Sequence, residues 1–265
     1  MTTLSGNILK MRTVHEAPVE YRLPLGDELV DMNPLLGQRI SLRFDGQINC
    51  IKCARPTKKS FGQGFCYPCF RSAPEASECI LRPELCRAHE GEARDMEWAE
   101  RHCLQQHVVY LAKSSAVKVG ITRGAQVPTR WMDQGASEAI MFARTPNRYT
   151  AGLLEVALKA HLTDRTNWRR MLKNEVAGDD LLERKSALVS EIDDEFMSYV
   201  CEDDTVWTFD YPVTTFPEKV TSVGFDKQPT IEGTLQGIKG QYLLLDDNRV
   251  LNLRKHSGYL IEIGW

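Results

Sequence analysis

VVYLAKSSAVKVGITR, residues 108 to 123, is the stretch that decides the reading of the fold. Val108, Val109, Tyr110 and Leu111 form a β-branched and aromatic run, and Val117, Val119 and Ile121 alternate with Lys118, Gly120 and Thr122. Both patterns predict strands. Between them Ala112 to Ala116, with Lys-Ser-Ser at its middle, predicts a tight hairpin. Downstream come an arginine-bearing segment at Thr129 to Met132, an apolar run at Ala139 to Ala143, and a helix from about Thr150 through AGLLEVALKAHL.

Tyrosine on the first strand, glycine late in the second, arginine some ten residues on and glutamate on a following helix give an order that resembles the GIY-YIG nuclease core. On that resemblance Tyr110 matches the tyrosine of the first motif, Gly120 the glycine of the second, Arg130 the catalytic arginine and Glu155 the metal-binding glutamate. The likeness covers residues 106 to 172. It departs at Val108 and Val109, where the first motif has Gly-Ile, and at Lys118 and Val119, where the second has Tyr-Ile.

The same residues can be read by their chemistry. Cutting a phosphodiester needs a group that positions or deprotonates water, positive charge for the developing phosphorane, and a carboxylate holding a divalent cation. Tyr110, Arg130 and Glu155 are one of each. Arginine's planar fork grips two phosphate oxygens, and a single glutamate with several waters suits Mg²⁺ or Mn²⁺. A tyrosine base needs a cation nearby to lower its pKa, and Lys118 on the neighbouring strand is placed to supply one. Each residue also has a bland role: tyrosine on a strand packs, and Glu155 can pair with Lys159 one turn on.

Cys50-x2-Cys53 and Cys66-x2-Cys69, separated by twelve residues, are two knuckles whose four thiolates satisfy tetrahedral Zn²⁺. Lys52, Arg55, Lys58, Lys59 and Arg71 interleave with Phe61, Phe65, Tyr67 and Phe70, so the ribbon is basic and aromatic, suited to phosphates and bases. The aromatics could equally roof the metal. Cys79, Cys86, His89 and Cys103 give a second ligand-like set, in which His102 or His107 could replace a member. A structural metal there would substitute for a core that some sixty residues cannot build alone.

Charge is distributed unevenly in a chain of net charge −3. Residues 101 to 174 carry twelve positive and four negative side chains, and residues 175 to 204 carry two positive and eleven negative. A local basic field is what a polyanion senses. DNA or RNA is therefore the expected partner, with Lys58, Lys59, Lys118, Arg123, Arg169 and Arg170 as contacts. MTTLSGNILKMR has no apolar signal region, and no segment approaches eighteen apolar residues. A cytoplasmic location without membrane contact is the expectation.

The predicted class is α+β. Residues 1–49 are an N-terminal β segment, with strands at Gly6 to Met11, Val19 to Leu23 and Ile40 to Phe44. Residues 50–105 are the zinc-binding region, and residues 106–204 are the GIY-YIG-like core, a small α/β unit of β-hairpin plus flanking helices. Thr166 is a candidate N-cap for a helix beginning near Trp168, and the stripe from Leu181 to Tyr199 predicts one long helix. Residues 205–265 are a C-terminal β module of barrel-like meander, which the N-terminal strands could join.

The whole layout also resembles a bacterial family known only as a domain of unknown function. PELCxxH and KVGITR-x6-RWxDQGA carry that likeness. Where that family's second cluster has a further cysteine, this chain has Ala93. The leading functional expectation is a metal-dependent phosphodiesterase, an endonuclease-like enzyme acting on DNA or RNA. The alternative is a zinc-containing nucleic-acid-binding protein whose GIY-YIG core no longer cuts, and a third reading is a zinc-stabilised interaction scaffold.

Overall fold

Residues 108 to 123 form the hairpin, seen here in a computed structural model that describes residues 2–162 and 167–265. Strands His107–Lys113 and Val117–Arg123 pair antiparallel, with Tyr110 opposite Gly120 and Lys113 opposite Val117. The turn is three residues, not five, because pairing continues through Ala112 and Lys113. Lys113 is nonetheless buried: its Nζ donates to the Asp179 carbonyl at 2.9 Å and lies 3.0 Å from Glu138. Strand order is Val206–Thr208, Glu138–Thr145, His107–Lys113, Val117–Arg123, so the first hairpin strand is central.

Alternation then divides the residues between two faces. Val109, Leu111, Val117 and Val119 pack with Ala151, Leu154 and Leu158 of the helix Arg148–Lys159, and with Leu181 and Leu188 of the helix Leu181–Val189. Burying each such side chain stabilises by about 1.5–3 kcal/mol. On the other face Tyr110 meets Trp131 edge-on at 5.7 Å, and Trp131 in turn meets Trp207 at 5.8 Å and Phe209 at 6.2 Å. The central strand is covered on both sides.

The chain divides into two compact units that interleave in sequence. One comprises Met1–Arg71, Met132–Gly135 and Asp210–Trp265; the other comprises Ser72–Trp131 and Ala136–Phe209. The hairpin sheet belongs to the second. In the first, the N- and C-terminal β segments share one sheet: Thr3–Asn7, Tyr259–Gly264, Arg39–Asn49, Thr230–Lys239, Tyr242–Leu245, Arg249–Asn252 and Thr221–Val223 follow in that order. The order is open among the described residues, where a barrel-like meander was expected. Strands Arg12–Val14, Glu20–Leu25 and Glu28–Asp31 form a separate meander. Both units are thus rich in β structure with short helices, a mixed α+β protein.

Several boundaries differ from expectation. Gly6 to Met11 is not one strand: Thr3–Asn7 ends, Ile8 bridges to Leu25, and the Met11 N–H donates to Gln241 Oε1 at 2.7 Å, so the segment passes from one sheet to the next. The long helix is two, Leu181–Val189 and Asp194–Met197. The Ser190 hydroxyl donates back to the Ala187 carbonyl, and extended Asp193 starts the second helix as its N-cap. The helix near Trp168 is short, Trp168–Leu172, and Asn167 Oδ1 accepts from the Arg169 and Arg170 N–H groups. Thr166 lies outside the described residues.

One glycine fixes how closely the Glu155 helix approaches its neighbour. A Cβ on Gly152 would stand 2.3 Å from the Glu84 nitrogen and 2.5 Å from the Pro83 carbonyl carbon, both backbone atoms that cannot turn aside. Gly152→Ala is expected to lower stability by about 1–3 kcal/mol in denaturant unfolding. Gly178→Ala, exposed with nothing within 4 Å, should change it little. Equal effects of the two would count against this packing account.

Candidate metal centres and cationic face

The eight cysteines are all free, and seven of them gather in two clusters. In the first unit the sulfurs of Cys50, Cys53, Cys66 and Cys69 all lie within 4.8 Å of one another. Cys53 Sγ and Cys66 Sγ are 3.8 Å apart. A ZnS4 tetrahedron with bonds of about 2.3 Å has edges of about 3.8 Å, so the spacing fits the ion. Each knuckle is closed by local backbone: Cys50 N–H donates to the Arg55 carbonyl and Ala54 N–H to the Cys50 carbonyl in the first, and Phe70 N–H to the Cys66 carbonyl in the second.

Backbone dipoles prepare these thiols. Burial raises the Cys50 thiol, but N–H groups of Cys66, Cys53 and Lys52 directed at its sulfur more than offset that and bring it down to about 6. Cys69, sharing a proton with Cys66 and partly desolvated, is pushed up to about 12. The metal-free knuckles therefore hold protons that a bound cation would displace. Phe61 stacks on Phe70 at 6.0 Å and meets Tyr67 edge-on at 5.4 Å, with Phe65 buried, so the rings form a cluster of their own. Tyr67 is still 54% exposed. Lys59 Nζ lies over the Phe61 ring at 5.4 Å, and Lys58 and Lys59 are exposed. With Lys255, Asp226, Phe44 and Tyr259 they line a pocket of 450 Å³. Lys255 comes from some two hundred residues away and carried no signal in the sequence.

In the second unit Cys79, Cys86 and Cys103 converge in the same way, also within 4.8 Å. His89 is not in that group. Its ring stacks on Tyr149 at 4.2 Å, and its Nε2 lies 3.9 Å from Glu90. His102 Nδ1 bonds the Trp98 carbonyl at 2.8 Å and its ring stacks on Trp98, while His107 Nδ1 bonds the Gln105 carbonyl at 2.7 Å. The set of three cysteines and one histidine is thus present as three cysteines. Cys103 holds its thiol low because Cys79 and Cys86 donate to it and the Arg148 guanidinium stands beside it. Arg148 also donates to the carbonyls of Cys79 and His102, and its N–H donates to the Cys103 carbonyl at 2.8 Å. Arg148 was not singled out in the sequence, where an arginine at a helix start is an ordinary surface residue.

The residues matched to the nuclease motif are distributed over both faces of the hairpin sheet. Tyr110 is fully buried, its ring lying against Gly120, where a Cβ would come within 2.7 Å of the phenol oxygen. Lys118 points to the same face as Tyr110 and Gly120, and burial followed by the charge of nearby Arg130 lowers its ammonium to about 8. Arg130 sits on the short helix Thr129–Asp133 and is half-buried. Neither cation forms an ion pair among the described residues. Glu155 rises from the helix packed on the opposite face, is buried, and its carboxylate lies 3.4 Å from Lys159. Arg123 is half-buried, with burial and Arg148 holding its guanidinium below its usual value. Arg169 stacks on Trp168 at 4.3 Å, and Arg170 is engaged by Glu175 at 3.3 Å.

A family model described as a protein of unknown function, DUF2797, matches residues 37–261, most of the chain. No curated protein and no solved structure matches it. No described helix is long and apolar enough to cross a membrane. The two cysteine clusters could hold zinc.

Metal removal tests that fit. Chelation is expected to lower the melting temperature, and Cys53→Ser should lose one zinc per chain by elemental analysis. Metal-free protein should take zinc back with an affinity that falls on acidification, because thiols must release protons to bind. The fall steepens below about pH 6, where Cys50 also becomes protonated. Zinc uptake independent of pH would contradict thiolate ligation.

Proposed function

We propose, for a chain that belongs to this family of unknown function, that it is a zinc-stabilised nucleic-acid-binding protein whose hairpin face grips a phosphodiester through Lys118 and Arg130. One observation carries the reading. Two half-buried cations stand near each other without a carboxylate between them. Like charges in a partly desolvated place raise each other's energy, and an anion arriving from outside relieves both. Arginine supplies the bidentate fork, and lysine a point charge. The exposed Lys58 and Lys59 on the aromatic ribbon, with Lys255 at the same pocket, are a second surface suited to a polyanion. Zinc in this reading is structural in the four-cysteine ribbon, which presents no open position.

Phosphodiester cleavage with Mg²⁺ or Mn²⁺ is the second reading, favoured by Glu155 being the one carboxylate on its helix and buried. In it Arg130 holds the scissile phosphate, Glu155 the cation, and Tyr110 orients water. The full burial of Tyr110 weighs for binding over cutting.

Labelled single-stranded, duplex and branched DNA and RNA, with Mg²⁺, Mn²⁺ or EDTA, separate the two. Binding is expected, and Lys118→Gln and Arg130→Gln should each reduce the slope of log affinity against log salt by about 1, with little dependence on sequence. Affinity due to Lys118 is present below about pH 8 and fades as pH rises through that value, because its folded-state pKa is depressed; Lys118→Arg should abolish the fade. Metal-dependent cuts lost in Glu155→Ala would establish the nuclease instead. Neither binding nor cutting would leave the scaffold.

A further inference from the structure

Three cysteine sulfurs converge at the second cluster, and a pocket opens onto them. The pocket, of 690 Å³, is lined by Cys79, Cys86 and Cys103, with Ala93, Leu85 and Trp98 among its walls. Tetrahedral zinc needs four donors. The acidic side chains at the pocket are engaged elsewhere: Glu78 lies 3.5 Å from Arg82, Glu92 pairs with Arg87, and Asp95 accepts from the Trp98 N–H as a helix cap. Neither His89 nor His102 places a ring nitrogen in the group of three sulfurs, and His102 Nδ1 bonds the Trp98 carbonyl. His107 Nε2, buried and without a hydrogen-bond partner, is the imidazole nitrogen that could compete.

We propose that the Cys79, Cys86 and Cys103 cluster binds zinc through three thiolates and leaves its fourth position, facing the pocket, to a ligand from solution of the small-thiol class. This rests on the cluster holding zinc, which its three converging sulfurs could do. Three thiolates and Zn²⁺ sum to one negative charge, and Arg148 beside Cys103 offsets it. A soft sulfur donor suits a centre already rich in thiolates. In the free protein water fills the position. Exchange breaks the zinc–water bond and forms a zinc–sulfur bond, the thiol proton passes to solvent, and no electron moves. The ribbon, with four cysteines, has no such position.

Cobalt provides the readout, because its visible spectrum reports the donor set. The full chain, reconstituted anaerobically with Co²⁺ and titrated with 2-mercaptoethanol, should bind two ions. It should then show a saturable shift of the ligand-field bands to lower energy, with thiolate charge-transfer absorption rising by about one-seventh as seven sulfur bonds become eight. Cys86→Ala should abolish the response, while His89→Ala and His107→Gln should leave the spectrum and the titration unchanged. X-ray absorption of the wild-type zinc protein gives the same answer without a variant, as one light donor per chain that thiol replaces. Two bound ions with no thiol response, or a spectrum altered by either histidine substitution, would overturn the open position. Only one bound ion would overturn metal at this cluster altogether.

Discussion

The central strand His107–Lys113 must be covered on both faces, and most of the second unit follows from that requirement. All seven of its residues are buried. A strand at the middle of an antiparallel sheet satisfies its backbone sideways, but its side chains need two separate layers. One layer is the aliphatic face of the Glu155 helix together with the Leu181–Val189 helix, both packed on the sheet. The other is aromatic, built on Trp131. Tyr110 fills the second layer, buried with its ring edge-on to Trp131. Gly120 opposite it is the complementary concession, a strand position kept bare so that a ring can lie flat across it.

Chemistry is left to what the two layers do not absorb. Lys118 alternates onto the aromatic face but at its margin, and Arg130 precedes the tryptophan that fills that face. Both are held partly out of water by neighbours chosen for packing. Burial and the charge of Arg130 hold the Lys118 ammonium low, and that burial comes from the same packing that stabilises the sheet. The cysteine clusters are the other residue-poor economy. Segments 50 to 71 and 72 to 105 contain little regular structure, and thiolates around a cation would hold what a hydrophobic core of that size could not.

How much of this could be read from residues alone divides by range. The hairpin and the CxxC knuckles were legible, because each is specified by neighbours within about twenty positions. The helix caps were less so. Asn147 caps the start of the Glu155 helix by accepting from the Thr150 N–H, four residues before the apolar run begins at Ala151. The long helix expected to Tyr199 is broken by Ser190 and Asp193, polar residues whose side chains and extended backbone override a continuous apolar stripe. At the second cluster three sulfurs gather and His89 does not join them; its ring lies against Tyr149, a residue sixty positions on that local spacing cannot place. Pairing of the two chain ends in one sheet, and the arrival of Lys255 at the ribbon, depend on contacts spanning some two hundred residues that no local pattern encodes.

Arg148 ties two of these parts into one mechanical element. It is the first residue of the helix that carries Glu155 and packs on the hairpin, and it grips the cysteine segment at three backbone carbonyls. Gly152, one turn on, lets the same helix rest directly on the backbone at Pro83 and Glu84. The helix is therefore clamped to the cysteine segment along its first turn and a half. Two of the Arg148 bonds run through its guanidinium and the third through its backbone N–H, so the cysteine segment and the layer beneath the hairpin share one support, the first turn of this helix.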